Sequence, residues 1–519
     1  MKADIIVIGG GLGGCTAALA AAKFGKKVIL TEETDWIGGQ LTSQAVPPDE
    51  HKWIEQFGCT ASYRDFRNRV RDYYRRNYPL KQEAFSDVKL NPGNGWVSRL
   101  CHEPKVALAV LQEMLAPFVA NGRITILLNY QVESAKVEQD TIQTVTLKHV
   151  MNKNMLMLKG DIFLDATECG DLLPLAGVEY VTGAEAKADT GELHAPEEAR
   201  PQDMQPITHV FAVDYIDGED FTIEKPLQYE KWKAYQAPFL QHKQLSWFAP
   251  DAHTGESKEF AMFHHGDLWG LWDYRRIIDP DLFKEGTFQG DITLINWPQN
   301  DYWLGSIIDV TPDDRLRYLE DAKQLSLSLL YWLQTEAPRL DGGKGYPGVR
   351  LRPDVLGTED GLAKYPYIRE SRRIKAIFTV VEEHINAETR GNQGIERFND
   401  SVGIGCYRID LHPTTETNTF FYTESYPFEI PLGALLPIRV KNLLPACKNI
   451  GATHITNGCF RVHPVEWNIG ESAGYLAAFS LEKGIIPREV REKEGLLHEF
   501  QEMIVKEGIE LSWPEVGAI

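Results

Sequence analysis

The sequence predicts an α/β fold organised on a buried parallel sheet, and three features near its start carry that prediction. Ile5 to Ile8 is an unbroken apolar run, the pattern of a parallel strand covered on both faces. Gly9, Gly11 and Gly14 follow with the spacing G-x-G-x-x-G, and the alanine-rich stretch from Cys15 to Lys23 is helical by propensity. A second strand at Lys27–Leu30 leads to an acid, Glu32, which stands 18 residues after Gly14. Strand, glycine turn and helix therefore arrive in the order that a Rossmann-like dinucleotide site requires.

Each part has a physical use. Gly9 permits the tight turn, Gly11 lets the backbone approach a diphosphate, and Gly14 lets helix and strand pack closely. Amides at the helix N-terminus then face the phosphates, where the helix dipole favours negative charge. Glu32 can accept hydrogen bonds from both ribose hydroxyls of an adenosine. It would repel a 2′-phosphate, which disfavours an NADP-type ligand.

Three later segments add to this. Trp36-Ile37-Gly38-Gly39-Gln40-Leu41-Thr42 follows Glu32 closely. Asp161 to Leu164 is an apolar strand running into the polar turn Asp165-Ala166-Thr167-Glu168-Cys169-Gly170-Asp171. Near the other end, Asn442–Ala446 reads as a short buried strand, and Asn468 to Gly474 opens a helix that Leu476 to Leu481 continue. Together these segments resemble the bacterial FAD-dependent oxidoreductases related to fumarate reductase and glutathione reductase flavoproteins. The resemblance extends to Tyr367–Ile374. It departs at Cys447 and Lys448, where many relatives have Gly and Arg, although Lys448 still supplies a charge.

The resemblance implies a discontinuous FAD-binding domain of the glutathione reductase type, with FAD as the cofactor. Gly38, Gly39 and Gln40 would run under the ribityl chain and ring, and Ala166 and Thr167 would form the turn that returns to the FAD-binding sheet. The N-terminus of the late helix, at Gly470 and Glu471, would set positive dipole against the N1–C2=O2 edge of a reduced, anionic flavin. The FAD-binding domain is assigned to 1–45, 100–185 and 430–485. Residues 46–99 form a helical insertion, with a helix at about 62–77. Residues 186–429 form an α+β substrate domain with a strand at Thr208–Val213 and a helix at Pro312–Thr335, and 486–519 a helical tail. In the family, the catalytic pocket lies between the ring and the second domain.

Composition narrows the partners. The net charge is −20, from 54 basic and 74 acidic residues, which argues against nucleic acid and against an anionic membrane surface. No apolar run reaches the length of a membrane span. The chain begins directly with a buried strand rather than a leader, and its seven cysteines contain no C-x-x-C pair. A cytoplasmic protein without disulfides, zinc ribbon or iron–sulfur cluster is expected.

Candidate chemistry sits in several stretches. Arg408, Asp410 and His412 alternate along a strand, so that an acid beside His412 could fix its tautomer and raise its basicity; an exposed edge strand of paired charges fits the pattern equally. His454, Arg461 and His463 lie between the last strand and the last helix, beside the ring by resemblance, and are candidates for catalysis with His412. The alternative is that His454 binds backbone and His463 caps a turn. Arg372, on a supposed helix with Arg369 and Arg373, is a candidate substrate contact, as is Tyr407. So are His265 and Trp269 in the aromatic stretch 263–276, which could stack a planar or sugar-like ligand or simply form a strand with one apolar face. His264 and His265 lack the spacing of a metal pair, and no metal is expected. The six arginines in Tyr63–Arg76 read as a solvated helix or as an attractor of anionic substrate.

The expected function is oxidation of a small polar molecule, such as a sugar, glycoside or aromatic metabolite, by hydride transfer to flavin N5. The electron acceptor is open. There is no second G-x-G-x-x-G and no C-x-x-x-x-C after Gly39, so a disulfide reductase is not expected. A hydroxylase using NAD(P)H and oxygen is the alternative enzyme, and a flavin-binding protein without turnover is the alternative outside enzymes.

Overall fold

A computed structural model describes residues 1–251 and 254–519. A five-stranded parallel sheet forms the first layer. Its strands are β1 (Ile5–Ile8), β2 (Val28–Glu32), β3 (Ile124–Leu128), β4 (Ile162–Asp165) and β5 (Leu443–Pro445), in the spatial order β5-β4-β1-β2-β3. β1 and β4 are buried along their whole length, which is why they read as continuous apolar runs. Helix α1 (Leu12–Lys23) crosses from β1 to β2. An antiparallel meander of Tyr130–Glu138, Thr141–His149 and Met155–Lys159 is inserted between β3 and β4.

The two ends of the chain are joined by helix packing. The long helix α2 (His463–Lys483) lies on α1. At two positions only glycine fits: a Cβ on Gly470 would lie 2.1 Å from the Gly13 carbonyl oxygen, and one on Gly474 2.3 Å from that of Ala17. Small residues let the two backbones approach, and the late sequence thereby closes over the early turn.

A second core surrounds an antiparallel sheet of Arg276–Ile278, Ile292–Ile295, Phe211–Tyr215 and Val349–Leu351, in that order. The helix Pro312–Thr335 contributes Leu325, Leu329 and Leu333 to the same apolar cluster. Its cap is Thr311, whose hydroxyl accepts the Asp314 N–H at 3.1 Å. Trp232, Trp272 and Trp297 fill the centre.

Several local expectations change. The segment Thr208–Val213 is not one strand: Ile207–Thr208 pairs with Tyr367–Ile368, and Phe211–Tyr215 joins the four-stranded sheet. Arg369, Arg372 and Arg373 are not helical, because Tyr367–Ile368 and Arg373–Ile374 are extended and pair with separate strands. The aromatic stretch 263–276 does not form the strand considered for it. It turns through a short 3-10 helix at Leu271–Asp273 that buries Trp272. Helix α2 begins at His463 rather than Asn468, with Pro464 in its first turn, where a missing N–H costs nothing. Asn468, Gly470 and Glu471 therefore lie inside the helix. In the arginine-rich helix Ala61–Asn77, Arg67 and Arg71 are buried and bonded to Glu50 and Glu55, so their charge is spent on an internal network.

All seven cysteines are free and buried, and burial pushes their thiols well above the usual range. No helix among the described residues is long and apolar enough to cross a membrane.

Candidate active site

The first cavity, about 240 Å³, opens at the C-terminal ends of β1, β2 and β4. Gly9, Gly11, Glu32, Gly39, Ala166 and Thr167 all line it. Gly9 has φ +97°, and a Cβ there would meet the Ala166 carbonyl oxygen at 2.3 Å, so turn and D-A-T segment touch only because Gly9 lacks a side chain. Gly14 serves packing, since its Cβ would lie 2.0 Å from the Gly9 carbonyl oxygen. Glu32 accepts the Gly10 N–H at 3.0 Å and the Thr34 N–H at 2.9 Å. Burial pushes its carboxyl up to about 7 against these bonds.

An anion already rests against the turn. A Cβ on Gly11 or Gly39 would meet Glu168 Oε1 at 2.6 or 2.5 Å, and that oxygen has no hydrogen-bond partner. The other oxygen of Glu168 is held by the buried ammonium of Lys448, which also lies 3.4 Å from Glu466. Glu168, Cys447 and Glu466 bring ligand-type atoms within 4.8 Å of one another, and the cation among them is Lys448.

The second cavity is larger, about 410 Å³, and aromatic. Trp269, Tyr407, His412 and Arg461 line it, as does Asp301. His412 Nδ1 is 2.6 Å from Asp301 Oδ2. Its Nε2 is 3.7 Å from Asp410 Oδ2, too long for a hydrogen bond. The acid that orients His412 is therefore Asp301, 111 residues away, rather than Asp410, whose strand Ile409–Leu411 excludes both Arg408 and His412. Asp410 is paired with Arg461 at 3.1 Å, and Asp301 with Arg369 at 2.9 Å. Burial alone would raise both acids, but His412 with Arg461 holds Asp410 well below its usual value, and Arg369 with His412 lowers Asp301.

Two chain segments run from one cavity to the other. Gly39 and Ser43 line the first and Asp49 the second; Tyr365 and Arg372 line the first and Tyr367 and Arg369 the second. Between them lie the buried amides of Gln40 and Gln44. Among the described residues, Gln40 Oε1 and Gln44 Nε2 have no hydrogen-bond partner.

Some expected site residues stand elsewhere. Arg372 is not in the aromatic cavity; it lines the first one and is bonded to Asp171 and Asp309. His265 is exposed on a turn and lines neither cavity. His454 belongs to a third cavity, with Nδ1 2.9 Å from Glu370. Gly470 packs on α1, and Glu471 accepts the Ser62 hydroxyl at 2.7 Å. Gly38 donates its N–H to the Gly10 carbonyl, and Gln40 donates to Arg461 O and Glu466. Asp301 carries no local signal, because it becomes part of the site only through pairing with the distant His412 and Arg369.

A family model described as FAD dependent oxidoreductase matches residues 4–504. The chain belongs to this family. Among curated proteins, no sequence matches it. Similar solved structures include the L-proline dehydrogenase of P. horikoshii, 16% identical over 35% of this chain and 24% of that one, with a TM-score of 0.18. They also include the glycerol-3-phosphate dehydrogenase of Bacillus halodurans complexed with FAD, 15% identical over 41% of this chain and 40% of that one (TM-score 0.24). The myxobacterial chondrochloren halogenase is 11% identical over 96% of this chain and 78% of that one (TM-score 0.33). The chain thus spans less than half the length of the first two.

The residues present fit FAD, the cofactor in the family's description. The glycine turn is a cradle that a Cβ at Gly9, Gly11 or Gly39 would fill, and among the described residues the orphaned Gln40 and Gln44 atoms lie along the path between the two cavities. His463 shapes that path. Its Nδ1 accepts the Asp49 N–H at 3.0 Å and its Nε2 is 3.2 Å from the Val46 carbonyl. With both nitrogens engaged it positions the backbone rather than exchanging protons. Burial pushes it from 6.5 down to about 4, so it is neutral in the fold. The unfolded chain takes up the extra proton between these values, and the stability present above 6.5 is lost as the pH falls toward 4. His463→Gln keeps one acceptor and one donor. The fall in urea midpoint between about pH 7.5 and about pH 4.5 should shrink in that variant, and an unchanged fall would mean that His463 is charged in the fold.

Proposed function

We propose that the protein dehydrogenates a small organic molecule bound in the aromatic cavity, with His412 as the proton acceptor and residues 186–429 as the substrate-holding part. The observation that carries this reading is the His412–Asp301 pair on the wall of a 410 Å³ cavity joined to the glycine turn by two chain segments. FAD, when bound, takes up the hydride that the substrate carbon gives up. The turn of Gly9 and Gly11, with Lys448, would hold its diphosphate, and Glu32 its ribose. Glu168 would have to turn aside.

The remaining work falls to side chains. With Nδ1–H donated to Asp301, His412 keeps a lone pair on Nε2 for the proton of an alcohol or amine. Asp301 stays ionised and can support the imidazolium that results. Arg461, fixed by Asp410 and donating to the Tyr367 hydroxyl at 2.9 Å, orients a polar substrate group. The aromatic walls exclude water and offer faces for stacking.

The test is spectroscopic. Purified protein should be yellow and release FAD on denaturation. Under anaerobic conditions, a panel of sugars, glycosides, amines, aromatic alcohols and ring-bearing hydroxy and amino acids should contain a compound that bleaches the flavin. Bleaching by NADH or NADPH with no response to any such compound would overturn the dehydrogenase reading.

A further inference from the structure

The hydrogen-bonding groups of the aromatic cavity are unequal in kind. Among the described residues that line it, six buried donor atoms lack partners: Arg275 Nε and Nη1, Asn296 Nδ2, Trp297 Nε1, Arg369 Nε and Arg461 Nε. The buried acceptor atoms without partners number four: Asp49 Oδ1, Gln244 Oε1, Gln299 Oε1 and His242 Nε2, whose ring gives its Nδ1–H to the Lys243 carbonyl. A wall with surplus donors fits a ligand that brings acceptors, because an unmade buried hydrogen bond is costly.

Arg275 stands out among the cations. Arg369 and Arg461 each have a carboxylate within 3.1 Å, whereas the nearest carboxylate to Arg275, that of Asp49, is 3.7 Å away and makes no hydrogen bond. The Arg275 residue is 7% exposed, and its guanidinium lies over the Tyr274 ring, 5.0 Å from the centroid. A buried guanidinium with unused donors is suited to a carboxylate, which can accept two parallel N–H bonds.

We propose that the substrate is a planar organic acid whose carboxylate is bound by Arg275, with its ring held among the cavity aromatics. This rests on the reading of that cavity as the substrate site. It adds the chemical class: an anion is required, and neutral sugars are poor ligands.

Four tryptophans line the cavity, Trp96, Trp269, Trp297 and Trp303, so binding can be read from intrinsic fluorescence independently of turnover. The yellow holoprotein is titrated with benzoate and cinnamate, and with benzamide and cinnamamide as neutral matches. The acids should quench the emission and bind at least about tenfold tighter than the amides. Arg275→Met should abolish that preference and leave amide binding as it was, while Arg275→Lys, which keeps the charge, should retain part of it. Equal affinity for acids and amides overturns the proposal, as does a preference that survives in Arg275→Met, or no quenching by either acid up to its solubility limit. Failure of the redox reading would appear separately, as protein that takes up no FAD yet still prefers acids.

Discussion

Replacement of Lys448 by methionine is expected to give a colourless protein of lowered stability. Lys448 is fully buried and, among the described residues, is the one positive group bonded to Glu168 and close to Glu466. Burial would lower its pKa, but the carboxylates of Glu168 and Glu466 outweigh that and keep it charged. Removing it leaves two buried carboxylates facing each other without a cation. Breaking one side of such a pair typically costs about 3–5 kcal/mol, whereas the intact pair need add little. The FAD diphosphate would also lose a counter-charge beside the glycine turn. Urea unfolding measures the first effect, and absorbance of the flavin band after desalting the second. The double variant Lys448→Met/Glu168→Gln should recover part of the stability, because it removes one of the stranded charges. A single variant that is both yellow and as stable as the parent would show that the cluster carries neither load.

His412→Asn is expected to leave the protein yellow and folded while slowing flavin reduction by about 10²–10⁴-fold, the usual worth of a positioned base. Asparagine can still donate to Asp301 but cannot take a proton. Asp301→Asn should slow the reaction too, since it removes the acceptor that fixes the His412 tautomer. Stopped-flow reduction with the substrate found in the bleaching screen reads both effects. Unchanged rates in His412→Asn would remove this residue from the chemistry and return attention to Arg461 and Tyr407.

The parts of the site that were legible from sequence are those where one short segment does the whole job. Gly9, Gly11, Glu32, Gly39, Ala166 and Thr167 announce themselves because strand, turn and helix are contiguous, and they do line one cavity. The substrate side was not legible in the same way. His412 could be singled out by alternation along its segment, but its partner Asp301 comes from a loop 111 residues earlier. Arg275 looked like one more charge in an aromatic stretch, and only its burial without a close carboxylate sets it apart. Spacing also misled where a helix was read one turn late. Pro464 marks the true start of α2, and moving that start inward changes Gly470 and Glu471 from ring contacts to packing residues.

The seven sheltered thiols have a chemical corollary. Reduced flavins pass electron pairs to dissolved oxygen and yield hydrogen peroxide, which attacks thiolates rather than thiols. Every sulfhydryl here is kept out of solvent and protonated. The thiols are thus sheltered from peroxide, the oxidant that a reduced flavin yields with oxygen.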